Sequence, residues 1–339
     1  MRGLTKRRLA QRYFNKGHTK GVVELLRVAV DDATLRVYIR AMQAWLAWMD
    51  STDEVTLDWS DVVVVDYCLA LYFSAVCFDL ELLPHVAGST LAAVLHFQPR
   101  FHSQLPRAAR AARAFRALVR TEARLPFSRG SVGAIIAALL LCGHGEAAML
   151  VAYLLDIVGR GQQDWEQVCV EDVHLPGASD APIGITLGRS CRKEKVKTGF
   201  DQGVLVRCAV VRGWLRARVQ RLRQWSAKGA RAKVFSLSPQ EFRRVFAGAC
   251  AELGLPAETP HVLRHTAATE LWASGRVTLA ELMLRGRWQS ESSVKRYTKP
   301  HLLAAHESKV PPAVLELGKA FWTDPASFVA RGRRVVARQ

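Results

Sequence analysis

The segment Pro260–Tyr297 constrains the fold most. It reads PHVLRHTAATELWASGRVTLAELMLRGRWQSESSVKRY. Thr259 is expected as an N-cap, with Pro260 at the first helical position, where its missing N–H has no intrahelical partner to lose. His261 and Arg264 are three residues apart and share a face of that first turn. Free backbone N–H groups and the macrodipole favour an anion there. Thr278-Leu-Ala-Glu281 is a capping box that opens a second helix, ending near Gly286. Trp288 follows, and a short helix from about Ser292 carries Tyr297 before Pro300 stops it.

This helical segment sits in a strongly basic chain. Among 339 residues, 48 Lys and Arg face 30 Asp and Glu, for a formal charge of +18. Such a field attracts polyanions, of which nucleic acid is the commonest. A membrane is the rival partner, but no apolar run approaches the ~20 residues of a spanning helix. The longest candidate, Val132–Cys142, is too short. Half of the residues are apolar, enough for sizeable cores, and the length suggests two domains or three. The first twenty residues lack the apolar stretch of a secretory signal. Seven cysteines, at 68, 77, 142, 169, 191, 208 and 250, include no C-x-x-C pair. That usage fits free thiols in a reducing compartment. Neither a metal site nor a cofactor is expected.

The pattern divides the chain into a basic arm over 1–30, a helical domain over 31–126, a mixed domain over 127–305, and a terminal helix with a basic tail over 306–339. The arm is read either as a DNA contact or as a solvated tail. Asp32 opens a helix through Met49, with Leu35, Tyr38, Ile39, Met42, Trp45, Leu46 and Met49 on one side. The run Val62–Phe73 is ambiguous between strand and helix, because four valines adjoin Leu-Ala-Leu; we read it as helix. Next, Arg107, Arg110, Arg113, Arg116, Arg120 and Arg124 recur every three or four residues, with Glu122 the single acid. On a helix they form one stripe. Solvated faces normally mix signs, so the stripe is expected to contact the phosphate backbone. From Ser131 onward, helices over Val132–Cys142 and Glu146–Ile157 precede strands near Val170–Leu175, Ile183–Leu187 and Val204–Val206. Helices then return over Val210–Trp225 and Pro239–Leu253.

The ordered set His261-x-x-Arg264-His265-Thr266, a capped helix, Gly286-Arg287-Trp288, and Tyr297 nine residues after Trp288 resembles the C-terminal half of the tyrosine recombinase/phage integrase family. The resemblance covers roughly residues 130–305. The N-terminal part resembles that family's DNA-clamping domain only in size, helicity and charge. The resemblance implies a mainly α fold with a small antiparallel β-sheet, in two domains: a helical DNA-clamping domain and a mixed α/β catalytic domain.

It also implies a metal-free chemistry. The Tyr297 hydroxyl attacks a DNA phosphate to give a 3′-phosphotyrosine and a 5′-hydroxyl. Arg264 supplies a guanidinium fork to the developing charge. His261 donates or relays a proton, and Trp288 offers an indole N–H where many relatives use His. A hairpin lysine acts as general acid for the leaving oxygen. Lys197 is the expected residue, with Lys193 and Lys195 as rivals and simple phosphate contact or solvation of all three as the plain alternative. His265 is expected to support the site by packing or hydrogen bonding. Arg285 and Arg287 flank Trp288 and are expected to face DNA.

The sequence departs from the family at its first arginine. Aligning the acidic position on Asp164 places Gly161 where relatives carry Arg, with Arg160 one residue early. Either the loop slides so that Arg160 still serves as the catalytic arginine, with Asp164 supporting it, or the site has lost a clamp. Three functions therefore stay open: a site-specific recombinase or integrase of a mobile element; a catalytically defective DNA-binding protein on the same fold; and a type IB topoisomerase-like nicking-closing enzyme. The expected partner is double-stranded DNA, bound by a homotetramer. The terminal helix is expected either on a neighbouring protomer or on its own domain. The expected location is intracellular and DNA-associated: the nucleus in a eukaryote, otherwise the cytoplasm or nucleoid.

Overall fold

The computed structural model describes residues 30, 32–52, 55–119, 125–188, 202–225 and 229–336. The chain divides into two compact units, Met1–Glu122 and Ala123–Gln339.

The first unit holds four helices: α1 (Asp32–Asp50), α2 (Val62–Phe78), α3 (His85–Phe97) and α4 (Pro106–Leu118). The ambiguous valine run is helical because Asp61 caps it, its carboxylate accepting from Val63 N at 2.8 Å. Once capped, α2 buries Val65, Leu69, Tyr72, Phe73 and Val76, a stripe of helical period. Helix α2 packs on α4, and α1 on α3. The contact with α4 is polar as well as apolar. Asp66 of α2 is 4% exposed and accepts from Arg107 N and Ala108 N, the orphan donors that begin α4. Buried Ala108, Ala112 and Phe115 form the inner face of α4. Arg107, Arg110, Arg113 and Arg116 are all exposed on the rest of it. The helix ends at Leu118, and Arg120 and Arg124 lie outside the described residues.

The second unit opens with α5 (Arg129–Leu141) and α6 (Gly145–Asp156). Both are apolar nearly all round, and together they form the unit's centre. Three antiparallel strands follow in the order β1 (Val173–His174), β2 (Ile183–Leu187), β3 (Gln202–Val206). The register pairs Val173 with Ile185 and Ile183 with Val206. The strand expected over Val170–Leu175 is reduced to two residues. Asp172 accepts the Cys169 N–H at 2.7 Å and closes a 3₁₀ turn over Val170–Asp172 instead. Helices α7 (Ala209–Trp225), α8 (Pro239–Glu252), α9 (Val262–Ala273), α10 (Leu279–Gly286), α11 (Glu291–Lys295) and α12 (Pro300–Glu307) complete the body.

The last 30 or so residues differ from a helix with a loose tail. Helices α13 (Pro312–Thr323) and α14 (Pro325–Val336) both pack on α5 of the same chain. The Trp322 indole N–H donates to Arg129 O at 2.8 Å, and the Arg129 guanidinium lies 4.2 Å from the Trp322 ring centroid. Phe328 anchors α14 in the core, 7% exposed. The α5–α13 crossing is tight: a Cβ at Gly318 would collide with the carbonyl of Gly130. Because that obstacle is main chain, neither helix can yield locally. Gly318→Ala should therefore destabilise the protein by about 1–3 kcal/mol. Gly248→Ala at an exposed position of α8, where a Cβ meets nothing within 4 Å, should instead stabilise it by about 0.5–1 kcal/mol. Thermal denaturation of the two variants checks this, and equal melting temperatures would refute the close crossing.

No described helix is long and apolar enough to cross a membrane. Six described cysteines are free; Cys191 lies outside the described residues. Among the described residues no cluster of His, Cys, Asp and Glu has the makings of a metal site.

Candidate active site

The site forms where α9, the α10–α11 turn and the loop after α6 converge. Helix α9 begins at Val262, later than the expected start. Three backbone bonds of 3₁₀ type, Val262 N to Thr259 O, Leu263 N to Pro260 O and Arg264 N to His261 O, lead into it. His261 and His265 then stand one turn apart, their rings 5.5 Å apart and edge-on. Thr269 continues the same face one further turn on. Its hydroxyl donates to the Tyr297 carbonyl at 2.7 Å and accepts from Lys299 N at 3.2 Å, tying the tyrosine's turn to α9. Thr269 was not singled out from sequence, although the i, i+4, i+8 spacing from His261 was available to find it.

Tyr297 is half-buried inside a ring of the expected side chains. Its ring centroid lies 4.5 Å from that of His265, 5.9 Å from His261 and 5.2 Å from Trp288. The Arg264 guanidinium carbon sits 4.1 Å from the Trp288 centroid and 5.1 Å from that of Tyr297. Arg264 is 3% exposed, and carbonyls hold it. Nη1 donates to Val158 O at 2.5 Å and Nη2 to Gly286 O at 2.7 Å. Burial is the main reason its pKa falls, to about 10, with the Arg287 and Arg160 charges acting in the same direction. It is still a cation at neutral pH.

The loop after α6 supplies the rest. Helix α6 ends with Gly159 N bonded back to Leu154 O at 2.8 Å, a Schellman-type closure that puts Val158 at φ 52. A β-branched residue is strained there, and its carbonyl is the one that holds Arg264. Gly161 has φ 118 and ψ −144, a region essentially restricted to glycine. That is the physical reason an arginine does not occupy this position. Arg160, one residue earlier, turns toward the site. Its Nη1 donates to Gln202 Oε1 at 3.0 Å and its Nη2 to the Arg287 carbonyl, while its backbone N–H donates to Asp164 Oδ2 at 2.5 Å. Gln202 is the first residue of β3, so the start of that strand lies at Arg160. Lys197, with Lys193 and Lys195, falls outside the described residues.

Arg287, expected to face DNA, turns its side chain inward: it is 6% exposed and pairs through Nη2 with Asp164 Oδ2 at 2.5 Å. The cause is local. Arg287 is the C-cap of α10 in the left-handed conformation, φ 56 and ψ 42, which redirects its side chain toward the α6 loop. Arg285, two residues earlier, lines a cavity of about 990 Å³ with Arg129, Arg207, Arg276 and Glu270. Burial pushes the Glu270 carboxyl up to about 7, against the pull of the Arg129 charge and backbone N–H.

A carboxyl raised in the folded state is protonated there at pH values where the unfolded chain has already released its proton. Stability from this group is thus complete below about 4.5 and is lost as pH rises toward 7. Glu270→Gln, which mimics the neutral form, should match the wild type near pH 4.5. At pH 8 it should be more stable by about 1–3 kcal/mol, allowing for partial exposure. Parallel melting curves at the two pH values test this, and an unchanged pH dependence would contradict it.

No protein-family model matches the sequence. Comparison with curated proteins also gives no match. Solved structures do match. XerH site-specific recombinase bound to a palindromic difH substrate, a post-cleavage complex, is 13% identical, with a TM-score of 0.59 over 90% of this chain and 88% of that one. XerH bound to difH substrate in a pre-cleavage complex is 11% identical, with a TM-score of 0.53 over 95% of this chain and 89% of that one. At such low identity the shared property is the fold: mainly helical, with one small antiparallel sheet, this chain has the tyrosine recombinase fold.

Proposed function

We propose that the protein is a DNA strand transferase of the recombinase/integrase type, with Tyr297 as its nucleophile. One observation carries the reading: Tyr297 sits against Arg264, His261, His265 and Trp288 in a single half-buried cluster. The phenolic oxygen attacks a DNA phosphorus and a P–O(Tyr297) bond forms. The P–O5′ bond breaks, the phenol gives up its proton, and the departing 5′-oxygen takes one up. DNA is left as a 3′-phosphotyrosine. Attack by a 5′-hydroxyl reverses every step, so the bond energy is conserved without ATP.

Arg264 is the fixed cation for the charge that builds on the non-bridging oxygens. Its place is set before substrate arrives, because Val158 O, Gly286 O and the Trp288 face already hold it. His261, at the open start of α9, relays the proton, and Trp288 both seats Arg264 and closes one side of the tyrosine. The exposed arginines of α4 contact phosphates outside the cleavage point, so binding should fall steeply with salt. Assembly as a tetramer and origin in a mobile element belong to the same proposal.

The test is a pool of nicked duplexes with randomised sequence around the nick, which trap a covalent intermediate because the short 5′-hydroxyl strand diffuses away. A denaturant-resistant protein–DNA adduct, mapped by mass spectrometry to Tyr297, is the expected result. Duplex binding without any adduct would establish the inert DNA-binding reading instead. That reading is favoured by Arg160, whose guanidinium is held by Gln202 and the Arg287 carbonyl.

A further inference from the structure

Three guanidinium groups, those of Arg160, Arg264 and Arg287, gather around Asp164. Arg160 and Arg264 each feel the charge of Arg287, and Asp164 is the carboxylate both of them feel. What separates the three is the destination of their N–H groups. Arg264 is held through Nη1 and Nη2 by two carbonyls. Arg160 is held through the same two nitrogens by Gln202 and by the carbonyl of Arg287. Arg287 gives only Nη2, to Asp164; its Nε and Nη1 are buried and have no hydrogen-bond partner among the described residues.

Buried polar groups are almost always paired, and leaving one unpaired is costly. Arg287 bears a second cost, since it occupies the left-handed region at φ 56, which favours glycine. Its neighbours fix it in this state. Asp164 holds one end of the guanidinium, and Arg160 holds the main-chain carbonyl. Unpaired cationic donors, backbone strain and an excess of positive charge thus coincide at one residue, directly before the Trp288 that covers Arg264. Together they describe a site made for an anion.

We propose that Arg287 is the second phosphate-binding guanidinium of this site, its Nε and Nη1 donors meeting a non-bridging oxygen of the scissile phosphodiester. Arg160 is then a positioning residue, which acts by holding the Arg287 carbonyl. This deepens the Tyr297 reading and rests on it. It also explains how glycine can stand at position 161: the missing guanidinium arrives from the opposite side of the site, beyond α10.

The experiment uses the full chain and a duplex recovered from the random pool as a wild-type adduct. On that phosphodiester Arg287→Ala should form adduct at least 100-fold more slowly than wild type. Replacing one non-bridging oxygen by an uncharged methyl removes the charge that Arg287 answers. On this methylphosphonate the deficit of Arg287→Ala should shrink below tenfold, and that of Arg160→Ala, which acts through Arg287, should shrink with it. Arg287→Lys, which keeps a cation for Asp164, guards against misfolding and should be intermediate on the phosphodiester. Adduct formation by Arg287→Ala within threefold of wild type overturns the proposal, and so does methylphosphonate rescue of Arg160→Ala alone.

A second arm needs no cleavage. Tungstate, a free oxyanion, should raise the melting temperature of wild type and of the exposed-arginine control Arg244→Ala, and should raise that of Arg287→Ala much less. An equal rise in Arg287→Ala overturns the proposal even if wild type never forms an adduct, an outcome that would on its own refute only the Tyr297 reading.

Discussion

Tyr297→Phe will form no covalent adduct with nicked DNA, while its affinity for the same duplex stays within about threefold of wild type. The two halves of this expectation have separate causes. The phenolic oxygen is the only atom lost, and no other group can replace it: His261 and His265 face the same ring, yet a phosphohistidine there would be a different, acid-labile species. The aromatic ring survives the substitution, and it is the ring that packs. Its partners are His265 at 4.5 Å, Trp288 at 5.2 Å and the Arg264 guanidinium at 5.1 Å. Its main-chain carbonyl stays bonded to Thr269. Because Tyr297 is only half-buried, stability should change by less than about 1 kcal/mol. The assay is denaturing electrophoresis of adduct beside a filter-binding titration. An acid-stable adduct persisting in Tyr297→Phe would mean that another hydroxyl is the nucleophile. Loss of binding in step with loss of adduct would mean that the tyrosine serves the fold.

What could be read from the sequence was local. The capping box at Thr278 is present as expected, with Glu281 Oε2 accepting from Thr278 N and Thr278 Oγ1 accepting from Glu281 N. Ser238 likewise caps α8 through Glu241 N. In each case a side chain and a backbone donor three residues apart suffice, so nothing distant can overrule them. The valine run of α2 was legible for the same reason, once Asp61 is counted as its cap. The β1 region was not, because a single buried carboxylate, Asp172, bends the chain before pairing can extend. The arginine cluster lay further out of reach. Whether Arg287 points to solvent or inward depends on its left-handed φ, and that follows from how α10 meets the α6 loop. No pattern within GRW states it. Val158 and Gln202 enter the site through one carbonyl and one side-chain oxygen, groups with no signature in a sequence. The close approach of α5 and α13 was more accessible, since Gly130, Gly133 and Gly318 are small residues on two helices that carry apolar faces.

Arg264 separates catalysis from support most sharply, because it performs both. Removing its side chain strips partners from Val158 O and Gly286 O and opens a space beneath Trp288. Each buried carbonyl left unpaired costs about 1–3 kcal/mol. Arg264→Ala should thus lose about 2–5 kcal/mol of stability, together with at least 1,000-fold in the rate of adduct formation, more than one neutral donor supplies. Arg264→Lys distinguishes the two roles. An ammonium keeps the charge and can satisfy one carbonyl, so stability should recover by half or more. It cannot present a planar fork to both carbonyls and a phosphate at once, nor lie flat on Trp288 as a guanidinium does. The rate should therefore stay at least 100-fold below wild type in a protein that melts normally. Stopped-time adduct assays, run well below the melting temperature of each variant, decide the matter. If Arg264→Lys is restored in rate as fully as in stability, position 264 requires only a positive charge, and the fork geometry that its two carbonyls maintain has no part in the chemistry.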